Sequence, residues 1–366
     1  MKLQKVISCT LMAAMVFSLT ACGSKESTTT PPAADNTSDV ADETGTKAEV
    51  DESIIEYDLT MASAASADMY PNVAMQMGCD EVFEKTGGKV RITLYADNLL
   101  GDYTTCFEDL MKGNLDMSMF SAPTDYDARL GISVMPYLFT DWDQYEKVCY
   151  PDGALYEIME QYLAEDNIKF LGFCTEGLQG IGMTGCSKLE SVIDPDVRKD
   201  ELIRVPPLDE FAQMAEALGF NYSSIPYSDL YSSLQSGICE GWLGGAATIN
   251  YTAYRDIIKV WVDARTSSEM MCINMNLDLW NSLPEEYQDI IAEAFYNASM
   301  YSFEQAKSEE DKNKALLEEY GVQIYVPSDE DLAKAAEAVR AATWPKMREL
   351  HGDEVIDSIV NAIENE

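Results

Sequence analysis

The stretch KVRITLYADNLLGDYTTCFEDLMKGNLDMSMFSA, residues 89–122, reads as strand, helix and strand in close succession. Val90, Ile92 and Leu94 fall on one face of an alternating run, the period of a half-buried strand. "YTTCFEDLMKGN" is a helix closed by a glycine stop, and "LDMSMFSA" returns to strand. Upstream, "YDLTMAS" from Tyr57 is another strand. "YPNVAMQMGCDEVFEKTGG" places Val73, Met77, Val82 and Phe83 at helical spacing before Gly87 and Gly88. This strand-helix alternation implies a parallel or mixed sheet with helices packed on it.

Further along, helical segments fall around residues 142–148 and 153–166, and "NIKFLGFC" is a strand. Residues 177–262 repeat the mixture. Strands lie near Ile181, Ile203, Tyr222 and Val260, with helices at "LDEFAQMAEALG" and "YSDLYSSLQSG". "EMMCINMN" is a strand. A long helix opens at Pro284 and runs to about Tyr320. "VQIYV" follows as a strand, and the last long helix opens with a Ser cap and an acidic first turn. The pattern gives two α/β lobes joined by crossing strands and one long helix.

The chain has 366 residues, 64 acidic against 25 Lys plus Arg, and a formal net charge of -39. Such a chain is repelled by nucleic acid, which excludes a nucleic-acid partner. The N-terminus carries two lysines, then "VISCTLMAAMVFSLTA", then Cys22. The apolar run is short for a membrane span and has the layout of an export signal. "LTAC" resembles a bacterial lipobox, so residues 1–22 are expected to be a lipoprotein signal with lipid on Cys22. Residues 23–55 are rich in Ser, Thr, Pro, Ala, Asp and Glu and are expected to be a disordered tether. No later segment is long and apolar enough to span a membrane. Seven cysteines remain beyond Cys22, an odd number with no C-x-x-C, which favours buried free thiols over a disulfide framework.

A single histidine, His351, nearly removes Ser-His, Cys-His and His-based zinc chemistry; it is expected to be a solvated surface residue. "GIGMTG" matches a dinucleotide fingerprint only in letters, because no helix of the right period follows it. Its glycines fit turns and close backbone approach near a cleft. No catalytic, metal or cofactor site is expected, although a carboxylate pair of the glycosidase kind stays open among so many acids. "ELIRVPP", residues 201–207, sets Arg204 in a short apolar strand, pointing away from Ile203 and Val205. Tyr227, Tyr231, Trp242, Tyr251 and Tyr254 gather beside turn glycines, a composition that suits either a small-molecule cleft or ordinary packing.

Several pieces, in order, resemble the solute-binding subunit of tripartite ATP-independent periplasmic (TRAP) transporters, of the C4-dicarboxylate-binding type. They are "EKTGGKVRITLYADNLLGD", "LMKGNLDMSMFSA", "MPYLF", "IRVPP", "IPYSDLYSSLQSGICEG" and "NLDLWNSLPEEYQDII". The resemblance implies an α/β, two-lobed periplasmic-binding-protein-like fold with mixed sheets, hinge strands and a long helix spanning both lobes. It places residues 56–178 with 268–308 in lobe I and 179–267 with 309–366 in lobe II. It implies a non-enzymatic protein, anchored outside the cell membrane, that hands a small organic acid to integral-membrane permease subunits.

By the same resemblance, Arg204 pairs with the ligand carboxylate and Tyr227 packs on the ligand body. Gln179 stands where many members carry a second arginine, and Gly244 where many carry asparagine, with Trp242 beside it. These departures favour a monocarboxylate with a larger body over a doubly clamped dicarboxylate. Ser63, Ser121 and Tyr137 complete the expected ligand site. Two other classes remain open at this point: a binding lipoprotein of an ATP-driven importer, and a surface hydrolase.

Overall fold

The computed structural model describes residues 52–364. The export signal, Cys22 and the tether as far as residue 51 lie outside the described residues. The expected tether ends earlier than residue 55. Glu52–Ile54 form a 3-10 turn, and Glu52 pairs with Arg91 at 2.7 Å, which fixes this segment to the first sheet.

In chain order the elements begin β1 (Tyr57–Ser63), α1 (Tyr70–Lys85), β2 (Val90–Tyr95), α2 (Tyr103–Lys112), β3 (Met117–Phe120), α3 (Trp142–Cys149), α4 (Ala154–Glu165) and β4 (Ile168–Leu178). The chain then forms β5 (Ile181–Met183), β6 (Leu202–Val205), α5 (Asp209–Ala217), β7 (Asn221–Ser224), α6 (Leu230–Ser236), β8 (Gly241–Leu243), α7 (Ala247–Ile249) and β9 (Val260–Val262). It closes with β10 (Ser268–Asn276), α8 (Leu277–Ser282), α9 (Glu285–Tyr320), β11 (Gln323–Tyr325), α10 (Asp329–His351) and α11 (Asp353–Glu364).

Two mixed sheets result. The first has the order β2-β1-β3-β10-β4, with β1 parallel to both neighbours and β10 antiparallel to both of its own. The second has the order β11-β9-β5-β8-β6-β7. The chain returns from β10 to β11 through α8 and the long helix α9, and it makes two short crossings between the sheets, from β4 to β5 and from β9 to β10. These two crossings bond to each other: Gln179 N–H donates to Ser267 O at 2.8 Å, and Thr266 N–H to Gln179 O at 3.0 Å.

Local chemistry sets the helix ends. Asp102 caps α2 through Thr105 N–H at 2.8 Å, and Gly113 ends it at φ 74°. Pro284 and two glutamates open α9, whose 36 residues make a rod of about 54 Å. This rod packs on α1 and β4 of the first sheet and on α7 and β11 of the second.

Alternation divides each sheet into two buried faces. Leu59, Met61, Met117 and Met119 lie under α1 and α9, while Phe120, Phe170, Met270 and Cys272 face α3 and α4. In the second sheet, Ile203, Val205, Leu243 and Val262 pack with Phe211, Ala335 and Val339. The other face carries Trp242, Trp261 and Tyr254.

Three expectations change. Helix α1 buries Val82 as expected but exposes Val73 and Met77 and buries Ala74, Met75, Gly78 and Cys79 instead. Its small residues allow close approach to α9; a Cβ on Gly78 would sit 3.2 Å from the Phe295 ring. Helix α11 does not join lobe II, because Ile356, Ile359 and Ile363 pack in the core against α3 and α4. His351 is not solvated: it stacks on Tyr162 with centroids 5.7 Å apart and bonds its hydroxyl at 3.1 Å. Burial pulls its pKa down to about 4. The seven cysteines are free, and all but half-buried Cys186 are buried.

Candidate functional site

Arg204 lies opposite Trp242 in the parallel register of β6 and β8, and Trp242 lies opposite Gly182 of β5, which lies opposite Trp261 of β9. One row therefore crosses the sheet as Arg204, Trp242, Gly182 and Trp261, on the face away from Ile203 and Val205. The row depends on glycine. A Cβ on Gly182 would come within 2.4 Å of Asn250 Oδ1 and 2.6 Å of Trp242 Nε1, and one on Gly245 within 1.9 Å of the indole. The indole N–H donates to Asn250 Oδ1 at 3.1 Å.

Arg204 is 3% exposed. Its Nε donates to Ile225 O at 2.7 Å, and among the described residues it makes no ion pair. Burial lowers its pKa from the usual value, opposed by Tyr254, Tyr227 and Glu269. Guanidinium keeps its proton regardless, so a buried positive charge remains without a carboxylate partner.

Tyr254 is the hub of the aromatic group. Its ring lies 5.0 Å from Trp242, 6.3 Å from Tyr231 and 6.5 Å from Tyr227. Tyr227 is 52% exposed and forms the accessible edge of this wall. Tyr231 is held outward by Asp256 at 2.7 Å, and Tyr251 carries Arg255 over its ring at 4.9 Å. Trp242, 3% exposed, backs Tyr254 from behind.

The first sheet contributes acids. Glu269 opens β10 and Glu176 lies near the end of β4, both half-buried. Glu269 pairs with Gly177 and Met270 with Thr175, so Glu176 is the extra residue of a β-bulge. Bulges re-aim side chains and gather beside functional sites. Gln179 Nε2 donates to Glu269 Oε2, and Ser121 Oγ to Glu269 Oε1 at 3.2 Å. Burial raises the Glu269 pKa, opposed by Gln179, Ser121 and Arg204. Burial and the charge of Glu269 push Glu176 up to about 8. Glu176 and Glu269 also act on Tyr227. Arg204, Tyr227, Tyr254, Glu176 and Glu269 act on one another's proton affinities, which makes this group the candidate site.

Of the residues singled out in the sequence, Arg204 and Tyr227 belong to this group, Gln179 and Ser121 bond Glu269, and Trp242 packs on Tyr254. Gly244, at φ 119°, offers no side chain to this group, and a Cβ there would face Phe211 at 3.6 Å. Ser63 is fully enclosed at the end of β1, where its hydroxyl accepts from Ala65 N–H at 3.2 Å. Tyr137 is corrected: it is fully buried among Ile203, Val205 and Val339, on the opposite face of the second sheet from Arg204. Its carbonyl accepts from Arg340. Glu176, Glu269 and the hub role of Tyr254 were not singled out. The available signal was an acid set in an apolar strand, as in "CTEGL" and "SEMMCINMN", which 64 acids obscure. Two open surface hollows, beside Asn72 and Gln76 and beside Arg265 and Arg340, share no residue with the group. Among the described residues no set of three or more acids, histidines or cysteines is placed to hold a metal.

Two sheets joined by paired crossings, with Arg204 the one buried arginine among the described residues, form the two-lobed architecture of a periplasmic binding protein. The chain belongs to the bacterial extracellular solute-binding protein family 7, whose pattern matches residues 61–349. It is similar to a solute-binding protein of Chromohalobacter salexigens, at 24% identity over 63% of this chain and 68% of the relative. A TRAP periplasmic solute-binding protein of Chromohalobacter salexigens with bound D-glucuronate superposes with a TM-score of 0.75, at 20% identity over 83% of this chain and 99% of that one. One from Sulfurospirillum deleyianum with bound succinate gives 0.72, at 20% identity over 85% and 100%. These likenesses show the fold.

Proposed function

We propose that the protein captures a small organic acid between its lobes, pairs the acid's carboxylate with Arg204, and delivers it to a TRAP-type membrane permease. The observation that carries this reading is Arg204 itself, buried and without an ion-pair partner among the described residues. A guanidinium fork matches a carboxylate bidentately, and a closing cleft strengthens the pair by excluding water. Relatives with D-glucuronate and with succinate support an acid of this size class. Replacement of the second arginine by Gln179 favours a single carboxylate. Tyr227 forms the ligand-facing edge of the aromatic wall, with Tyr254 and Trp242 behind it.

Lobe I comprises residues 56–178 and 268–308, and lobe II residues 179–267 with 309 to about 350, α11 returning to lobe I. The paired crossings at Gln179 and Ser267 form the hinge. Residues 1–22 are a lipoprotein signal, and lipid on Cys22 holds the domain outside the membrane. A thermal-shift screen of organic acids, followed by calorimetry, tests the ligand class, because a ligand stabilises by RT ln(1 + [L]/Kd). Mass spectrometry of the mature N-terminus tests the anchor: a lipid adduct on Cys22 supports it, and an unmodified cleaved N-terminus refutes it.

A further inference from the structure

Near the arginine the first sheet contributes two acids and an unpartnered amide oxygen, with the Tyr70 hydroxyl close enough to feel the Glu176 charge. Glu176 makes no hydrogen bond or ion pair among the described residues, and it stands out of register at the bulge beside Glu269. The two Glu269 oxygens each take one neutral donor, Gln179 and Ser121. Gln179 is 2% exposed, its nitrogen is spent on Glu269, and its Oε1 has no partner. An amide oxygen turned toward Glu269 would meet another oxygen, which fixes the nitrogen on that side. Two carboxylates and a stranded amide oxygen thus adjoin one another, with no Lys or Arg paired to either acid among the described residues.

A second carboxylate could take one bond from protonated Glu176 but would face the Gln179 oxygen and add negative charge beside Glu269, and an uncharged hydroxyl offers the set one donor. An ammonium offers three donors and a charge. Its three N–H groups match the three acceptor side chains, and its charge offsets the repulsion between the glutamates. The balance of the site is one guanidinium against two carboxyls, and a zwitterion complements both ends.

We propose that the ligand is a zwitterionic acid, an amino acid or amine-bearing acid, whose carboxylate lies on Arg204 and whose ammonium lies among Glu176, Glu269 and Gln179. This rests on the reading of Arg204 as the carboxylate partner. The aromatic wall of Tyr227 and Tyr254 borders the body between the two charges. Binding of the ammonium favours both glutamates in their ionised form, so it releases a proton near neutral pH, which a hydroxy acid does not.

The test is calorimetry with matched pairs: gamma-aminobutyrate and gamma-hydroxybutyrate, phenylalanine and phenyllactate, glucosaminate and gluconate, with D-glucuronate and succinate alongside. The amino member of at least one pair is expected to bind tenfold or more tighter. Its enthalpy should vary with buffer in the sense of proton release. Glu176→Gln and Glu269→Gln should each narrow the amino preference tenfold or more, and Arg204→Ala should weaken every binder. Acids that bind through Arg204 with the hydroxy member equal or tighter overturn the zwitterion and leave the acid reading standing. An amino preference untouched by both glutamine variants overturns it as well. If none of these acids binds, or if they bind without need of Arg204, the acid reading falls and the zwitterion with it.

Discussion

Arg204 and Glu269 face one another from different sheets, close enough for each charge to shift the other's proton affinity, yet they do not pair. Arg204 spends Nε on a carbonyl, and Glu269 is satisfied by an amide and a hydroxyl. Opposite charges held near but apart leave room for a third body. The proposed ligand is that body, with its carboxylate on the guanidinium and its ammonium among the glutamates.

The glutamates predict a pH signature of stability. Glu176, pushed up to about 8, keeps at neutral pH a proton that the unfolded chain, with an ordinary carboxyl near 4.3, has released. The folded state therefore binds more protons, and stability falls as pH rises from about 4.3 to about 8. Glu269, Tyr70, Cys174, Tyr227 and Tyr254 are the titratable groups that interact with it. Urea unfolding of the ligand-free protein at about pH 5 and pH 8 should show a fall smaller by about 3–4 kcal/mol in Glu176→Gln than in wild type. Equal falls in the two proteins would refute the buried proton.

Packing around Trp242 predicts a steric penalty. In Gly182→Ala the new Cβ would lie 2.4 Å from Asn250 Oδ1, in strand backbone that imposes no strain of its own. A loss of about 1–3 kcal/mol or more is expected. Trp242→Phe leaves the buried Asn250 oxygen without its indole donor, at about 1–3 kcal/mol. Denaturant midpoints measure both, and an unchanged midpoint in either variant contradicts this packing.

Thiol reactivity should be uneven. Burial pushes Cys79, Cys174 and Cys272 up to about 12, which suppresses their thiolates. Half-buried Cys186 alone among the seven offers surface to a reagent. A thiol-titrating dye added to native protein beginning at Glu52 should react first at Cys186 and at the remaining six only on unfolding. Rapid native labelling of Cys79 or Cys272 would contradict the burial.

Period and punctuation made much of the fold legible. Alternation gave β2 and β6, Gly113 marked a helix end, and Pro284 opened the long helix. β8 was missed because three residues between glycines carry no period. The inward face of α1 was misread because contact there is made by Gly78 and Ala74, which hydrophobic spacing undervalues. Arg204 stood out because a cation is rare in this chain. Glu176 and Glu269 did not, because acids are common and a bulge register is set by pairing between strands distant in sequence.

The most direct measurement is calorimetry of the tightest-binding acid with wild type, Arg204→Ala and Arg204→Lys. Leaving a ligand carboxylate unpaired in the closed cleft costs about 3–5 kcal/mol, so Arg204→Ala should lose two to three decades or more in Kd. Arg204→Lys keeps the charge but not the fork and should still lose tenfold or more. A change of less than threefold in Arg204→Ala would show that the carboxylate is bound elsewhere.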